Sequence, residues 1–205
     1  MQRYIDLSYT IENGIAIHPY DDELKLYQNR FLDKHKYNDS RLETGMHVGT
    51  HIDVPSHIMD SNILISDYPI GKFVGKGCLL DVRNQDVITM KEEYLEIVNE
   101  NDIVLLYTGF DKQFGRECYF TNYPLVGKEL AQFLAKKRIN MIGMDLPSPD
   151  KYPFEIHKML LAKDILIIEN MVNLDSLLNI DKFEVIALPL KIKAEASPVR
   201  VLARV

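Results

Sequence analysis

The sequence has no tryptophan and, in 205 residues, only two cysteines, Cys78 and Cys118. They are far apart and form no Cys-x-x-Cys, which excludes a disulfide framework and a thiolate metal knuckle. Reduced thiols in a cytoplasmic protein are the plain reading. No apolar run approaches the length needed to cross a bilayer, so no membrane partner is expected. The opening "MQRYIDLSYT" lacks the apolar stretch of a signal peptide, which leaves the Asn-Asp-Ser at 38–40 without meaning as a glycosylation site. Positive charge is also scarce: 24 Lys and Arg stand against 30 Asp and Glu, for a net charge of -6. A nucleic-acid partner is therefore not expected. The densest basic spot, "AKKRIN" at 135–140, reads as the basic end of a helix. No Gly-Lys-Ser/Thr phosphate loop and no Gly-x-Ser-x-Gly elbow is found. Repeats, low-complexity tracts and linkers are lacking too, which predicts one domain over residues 1–205.

Hydrophobic residues make up 46% of the chain and charged residues 26%, enough to bury a core without a metal or disulfide staple. Short β-rich runs occur at 4–8, 78–82, 102–108, 139–145, 164–170, 183–189 and 199–204. Several are apolar nearly throughout, as expected of strands covered on both faces. Helices are expected between them. The segment 89–98 opens on Thr89 with Glu92 three residues later, a capping-box pattern, and sets Met90, Tyr94, Leu95 and Val98 on one face. The segment 127–138 aligns Leu130, Phe133 and Leu134 and ends on basic residues. A third, short helix fits 154–163. With no long helix before residue 70, the expectation is an α/β domain whose N-terminal third is mainly β.

One stretch concentrates chemistry. "HVGTHIDVPSH", 47–57, holds three of the six histidines of the chain plus Asp53. His47, His51, Asp53 and His57 all fall on odd positions, while Val48, Thr50, Ile52 and Val54 occupy the even ones. In extended backbone the two sets would face opposite ways. A straight strand cannot be a metal site, because His47 and Asp53 would lie about 20 Å apart at roughly 3.3 Å per residue. The chain must bend, either at Gly49 or through one helical turn from His47 to His51, and Pro55 stops a regular continuation. The residue types point to metal binding; the competing reading is a polar, solvent-facing strand edge.

His47-x-Gly49-Thr50-His51-x-Asp53-x-Pro55-x-His57 closely resembles the signature of the metal-dependent cyclase family, which includes bacterial kynurenine formamidases (arylformamidases) and isatin hydrolases. "YIDLSYTIENGIAIHP" at 4–19, "GMDLPSPD" at 143–150 and "LIIEN" at 166–170 are similar to further family segments, so the resemblance runs from about residue 4 to 204. It implies a compact α/β fold with a mixed, barrel-like sheet and flanking helices, and assembly into dimers or larger homo-oligomers. It implies His47, His51 and Asp53 as ligands of one metal, and Asp53, His157 and Glu169 as ligands of a second, with Asp53 shared. His57 is implied as the catalytic proton carrier. From residue types alone, His157 lies on an expected helix and Glu169 at the end of an apolar strand, a place from which a carboxylate can reach a cleft.

A nitrogen and oxygen ligand set suits Zn(II), two ions per subunit by resemblance, and is compatible with Mn(II). The implied activity is hydrolysis of a C–N bond in a small amide by metal-activated water, N-formylkynurenine to kynurenine and formate being favoured. The alternatives are hydrolysis of a cyclic amide or lactone, and a non-catalytic metal-binding protein. The substrate-contacting residues stay open: Ser148 and Asp150 either line the pocket, as the resemblance implies, or merely shape the Pro-Ser-Pro-Asp turn. The chain also departs from common formamidase patterns in "HPYDDE" at 18–23, at Val54 and Ile58, and in lacking tryptophan.

Overall fold

A computed structural model describes residues 3–205. Its strands in chain order are β1 (Tyr4–Asp6), β2 (Lys25–Arg30), β3 (Asp39–Glu43), β4 (His51–Asp53), β5 (Val74–Asp81), β6 (Val87–Ile88), β7 (Ile103–Tyr107), β8 (Leu125–Val126), β9 (Met141–Met144), β10 (Leu166–Glu169), β11 (Glu184–Pro189) and β12 (Ala196–Arg204). The α-helices are α1 (Leu32–His35), α2 (Tyr94–Ile97), α3 (Lys128–Lys137) and α4 (Glu155–Leu161). Seven strands close on themselves in the order β4-β12-β11-β5-β7-β9-β10 and back to β4, and β1 continues the β4 edge of β12. The run β5, β7, β9, β10 is parallel, while β4, β11 and β12 pair antiparallel. The result is the mixed, barrel-like α/β architecture expected from the sequence.

The apolar runs became strands because both of their faces are covered. On β7, Ile103, Leu105 and Tyr107 join one buried cluster with Ile52, Ile168, Val185 and Val201. Val104 and Leu106 join a second with Leu130, Leu134 and Leu160 of the helices. The barrel interior thus packs on one side of the sheet and the helices on the other. The same alternation sorts β4 and β10. Ile52 and Ile168 point into the interior, so His51, Asp53 and Glu169 point the opposite way, toward α4.

Helix α3 matches expectation, with Leu130, Ala131 and Leu134 buried and Lys136 and Lys137 in its last turn. The expected helix over 89–98 shrinks to the single turn of α2, with Leu95 exposed. Its capping box does not form. Val87–Ile88 is drawn into parallel pairing with Leu125–Val126, and the Gln85 side chain takes both the backbone N–H (3.1 Å) and the hydroxyl (3.3 Å) of Thr89. A tertiary strand pair outweighs local helix propensity here. Among the described residues no helix is long and apolar enough to cross a membrane.

Candidate metal centre

The bend in 47–57 falls at Gly49, whose φ of +64° is a left-handed conformation that glycine adopts without a side-chain penalty. A Cβ there would also stand 2.9 Å from Ile11 Cδ1. After the turn only His51–Asp53 is strand, and Pro55–His57 is one turn of 3-10 helix. Of the two bends considered, the glycine turn is the one the chain uses. The solvent-facing edge is excluded: β4 is paired on both sides, and His51 and Asp53 are buried.

Register brings the second half of the centre alongside. Antiparallel pairing sets Glu169 of β10 directly opposite His51, and Ile167 opposite Asp53. A slip of one residue would turn Glu169 into the barrel interior. Helix α4 lies over this end of the sheet and delivers His157, buried like its neighbours. Two groups of metal-capable atoms result, His47/His51/Asp53 and Asp53/His157/Glu169, each within 4.8 Å and sharing Asp53. All five residues singled out in the sequence as ligands therefore meet. His57 joins neither group. Its ring leans over that of His47, centroids 4.1 Å apart, and lies 6.2 Å from His157.

The polar atoms of the cluster face one another without satisfying one another. His47 Nδ1 is 3.0 Å and His51 Nε2 3.5 Å from Asp53 Oδ1. His51 Nε2 is 3.4 Å from Glu169 Oε2, and His157 Nε2 is 3.2 Å from Glu169 Oε1. Yet His51 Nε2, both Asp53 carboxylate oxygens and Glu169 Oε1 are buried without a hydrogen-bond partner. Two buried carboxylates and the unpartnered Nε2 of His51 converging on one spot are costly alone and belong to the donor set of a divalent cation. The residues fit the metal that the resemblance implies.

Electrostatics describes the same demand. Burial alone would lower the His47 and His157 pKa values. Asp53, with Glu169 and Glu195, lifts His47 to about 9; Asp150 and Glu169 lift His157 to about 10. Burial would raise Asp53, but the surrounding His51 and His47 hold it well below the usual carboxylate range. Without an ion, protons must supply the positive charge these carboxylates require. His57 goes the other way: burial lowers its pKa, with Asp53 opposing.

Two supports aim the rings. Nδ1–H of His157 donates to Asp150 Oδ1 at 2.6 Å, and Asp150 Oδ2 accepts the Ile156 backbone N–H at 2.6 Å, so one carboxylate fixes both the ring and the start of α4. Nδ1–H of His51 donates to the Gly49 carbonyl at 2.9 Å. That carbonyl also accepts Asn170 Nδ2–H (3.0 Å), and Asn170 Oδ1 accepts the hydroxyl of buried Tyr119 (2.8 Å). In both rings Nε2 is left for the centre. Asp150 thus stands behind His157, while Ser148 lines the cavity and its hydroxyl donates to the Asp150 carbonyl at 2.8 Å. Asn170 and Tyr119 were not singled out in the sequence. The adjacency of Asn170 to Glu169 was the one available signal. Glu195, 3.5 Å from His47 Nε2, gave none.

The centre opens into a cavity of about 220 Å³, walled by His18, Phe120, Tyr123 and Phe154, with Asp21 at its edge and His57 beside the ligands.

The Cyclase family model matches residues 5–151. Two full-length relatives extend the match past His157 and Glu169. The kynurenine formamidase of Bacillus cytotoxicus is 32% identical over 206 residues, covering 98% of this chain and 97% of the relative. That of Bacillus cereus is 34% identical over 210 residues with the same coverage. Among solved structures, a potential metal-dependent hydrolase with cyclase activity superposes with a TM-score of 0.81 at 25% identity, covering 100% of this chain and 98% of that one. Isatin hydrolase A from Labrenzia aggregata gives 0.87 at 23% identity, covering 100% and 94%, a likeness of fold.

Proposed function

Because the chain belongs to the Cyclase family, we propose that it is a metal-dependent amide hydrolase, and specifically an arylformamidase that cleaves N-formylkynurenine to kynurenine and formate. The observation that carries this reading is the pair of ligand groups joined by buried Asp53, in which His47, His51, His157 and Glu169 line an aromatic-walled cavity. His47, His51 and Asp53 would hold one ion and Asp53, His157 and Glu169 another. Zinc suits these donors best and manganese is compatible. A divalent ion bound there supplies Lewis acidity, easing deprotonation of water and drawing charge from a carbonyl oxygen.

The residues of the chain do the rest. Gly49 and Asp150 hold the His51 and His157 rings so that each presents Nε2. Phe120, Tyr123 and Phe154 offer aromatic surface to an aryl ring and keep water from it. His57, next to the ligands but outside both groups, takes the proton from the attacking water at a ring nitrogen and passes it to the leaving nitrogen. Water adds to the formyl carbon, the C–N bond breaks, and the amine leaves protonated. This balance needs no other reactant.

The test is turnover of N-formylkynurenine by zinc- or manganese-loaded protein beside the chelated protein. Turnover that disappears on chelation supports the reading. A fully metallated protein that leaves N-formylkynurenine intact but opens isatin would overturn the choice of substrate and keep the class of reaction.

A further inference from the structure

The chain enters α4 through a residue in an unfavourable backbone conformation. Phe154, immediately before the helix, has φ +62° and ψ +45°, in the left-handed region. There the Cβ of any residue but glycine crowds the carbonyl that follows it, and bulky side chains are rare. Among the described residues eight other than glycine take positive φ, and five of these are Asn or Asp, whose short polar side chains tolerate it. Phe154 is the one aromatic residue of the eight. A helix start is also the ordinary place for Ser, Thr, Asp or Asn, whose side chains accept the free N–H groups of the first turn. Phenylalanine has no acceptor. Asp150 does that task instead, accepting the Ile156 N–H at 2.6 Å.

Burial does not offset the strain. The Phe154 side chain is 36% exposed. It meets the rings of His157 and Tyr152 edge-on, with centroids 5.7 Å and 6.1 Å away, and Tyr152 is itself exposed. The conformation is held by bonds to the backbone around it. Phe154 N–H donates to the Lys151 carbonyl at 2.8 Å, the Phe154 carbonyl accepts the Lys158 N–H at 3.1 Å, and Lys158 Nζ donates to the Pro153 carbonyl at 2.8 Å. Lys151 Nζ donates to the Thr121 carbonyl at 3.0 Å, which ties this turn to the segment carrying Phe120 and Tyr123. The outcome is that the ring lines the metal-centre cavity. The facing aromatic walls have structural reasons for their positions. Phe120 packs on buried Tyr119, centroids 5.0 Å apart, and the Tyr123 hydroxyl donates to the Asp150 carbonyl at 2.9 Å. A bulky residue kept at positive φ for neither burial nor a helix cap is the kind of strain that serves a site.

We infer that Phe154 is the specificity-determining residue of the cavity, where its ring beside His157 meets the group on the substrate nitrogen and selects a flat aryl ring over a saturated ring of the same size. The inference rests on the hydrolase reading above and narrows it to amides of aryl amines. A flat ring fits between Phe154 and the facing Phe120 and Tyr123 at stacking or edge distance, and a puckered ring does not. Glycine or asparagine at 154 would relieve the backbone and leave that wall open.

The test compares formanilide with N-cyclohexylformamide, which share the reacting group and the ring size, on zinc-loaded wild type, Phe154→Gly and Phe154→Asn. Preference is read as the ratio of kcat/KM values or, for protein that cleaves neither, as the ratio of Kd values from calorimetry. Taking each variant relative to wild type cancels the intrinsic reactivity of the two compounds. Both variants should lose about 10-fold of the aryl preference and keep their zinc. Melting of the metal-free proteins reads the strain. Phe154→Gly should melt at least as high as wild type and about 2 °C or more above Phe154→Ala, the reverse of the order in ordinary backbone. An aryl preference that survives in both variants overturns the inference. So does a Phe154→Gly protein that melts well below wild type or lacks zinc, because the ring would then be holding α4 and His157 in place. A wild type that cleaves neither formamide but binds formanilide in preference, with the preference lost in the variants, would sink the reaction proposed above and leave the role of Phe154 standing.

Discussion

The metal centre is assembled from two sides that are built differently. On one side, a turn and a three-residue strand supply His47, His51 and Asp53 within seven consecutive positions, and the His51 ring leans on a backbone carbonyl. On the other, a helix and a neighbouring strand supply His157 and Glu169, and the His157 ring leans on the carboxylate of Asp150. The first support is neutral and gets its rigidity at second hand, through Asn170 and Tyr119. The second carries charge, which raises the basicity of the imidazole as well as orienting it. The same task, presenting Nε2 to a cation, is met once by packing a turn and once by placing an anion.

The largest effect is expected where the two sides meet. Asp53→Ala removes the residue common to both ligand groups, so the protein should lose bound metal and turnover together, as read by elemental analysis and a rate assay. Wild-type metal content in this variant would show that the sides are independent. Next is His57→Ala, which belongs to neither side. Metal content should stay while kcat falls about 10²–10⁴-fold, and loss of metal would make His57 a ligand instead.

The comparison itself is sharpest in two supporting residues. Asp150→Ala should weaken zinc binding about 10–100-fold, measured by competition with a chromophoric chelator. Asn170→Ala should weaken it less, about tenfold at most, because the Gly49 carbonyl remains in place for His51. Equal losses would mean that the charge of Asp150 contributes nothing beyond alignment. Asp150 also accepts the Ile156 backbone N–H in the first turn of α4, so the melting temperature of each metal-free variant separates loss of fold from loss of affinity.

Much of this was legible in the chain order. The apolar runs announced strands covered on both faces, because a residue at every second position must meet the barrel interior and the next must meet a helix. The odd-position pattern announced a shared face for His51 and Asp53, which lie in extended backbone, while His47 before the turn and His57 on the 3-10 turn fall outside it. Gly49 announced a bend because glycine takes positive φ without a side-chain penalty, and its φ is +64°. Other features were closed to sequence reading. Thr89 and Glu92 spell a helix start, which the pairing of Val87–Ile88 with Leu125–Val126 and the hold of Gln85 on Thr89 overrule together. Asn170 reaches Gly49 across 121 positions and Tyr119 reaches Asn170 across 51. No local periodicity encodes contacts of that span. The sequence by itself determined the donor types and the need for a bend that gathers the first three. Tertiary structure decided which carbonyl and which carboxylate stand behind each ring, and that β2 and β3 pair with each other and with no strand of the barrel. Those outcomes depend on strand register and closure of the sheet, which bring distant residues within hydrogen-bond reach.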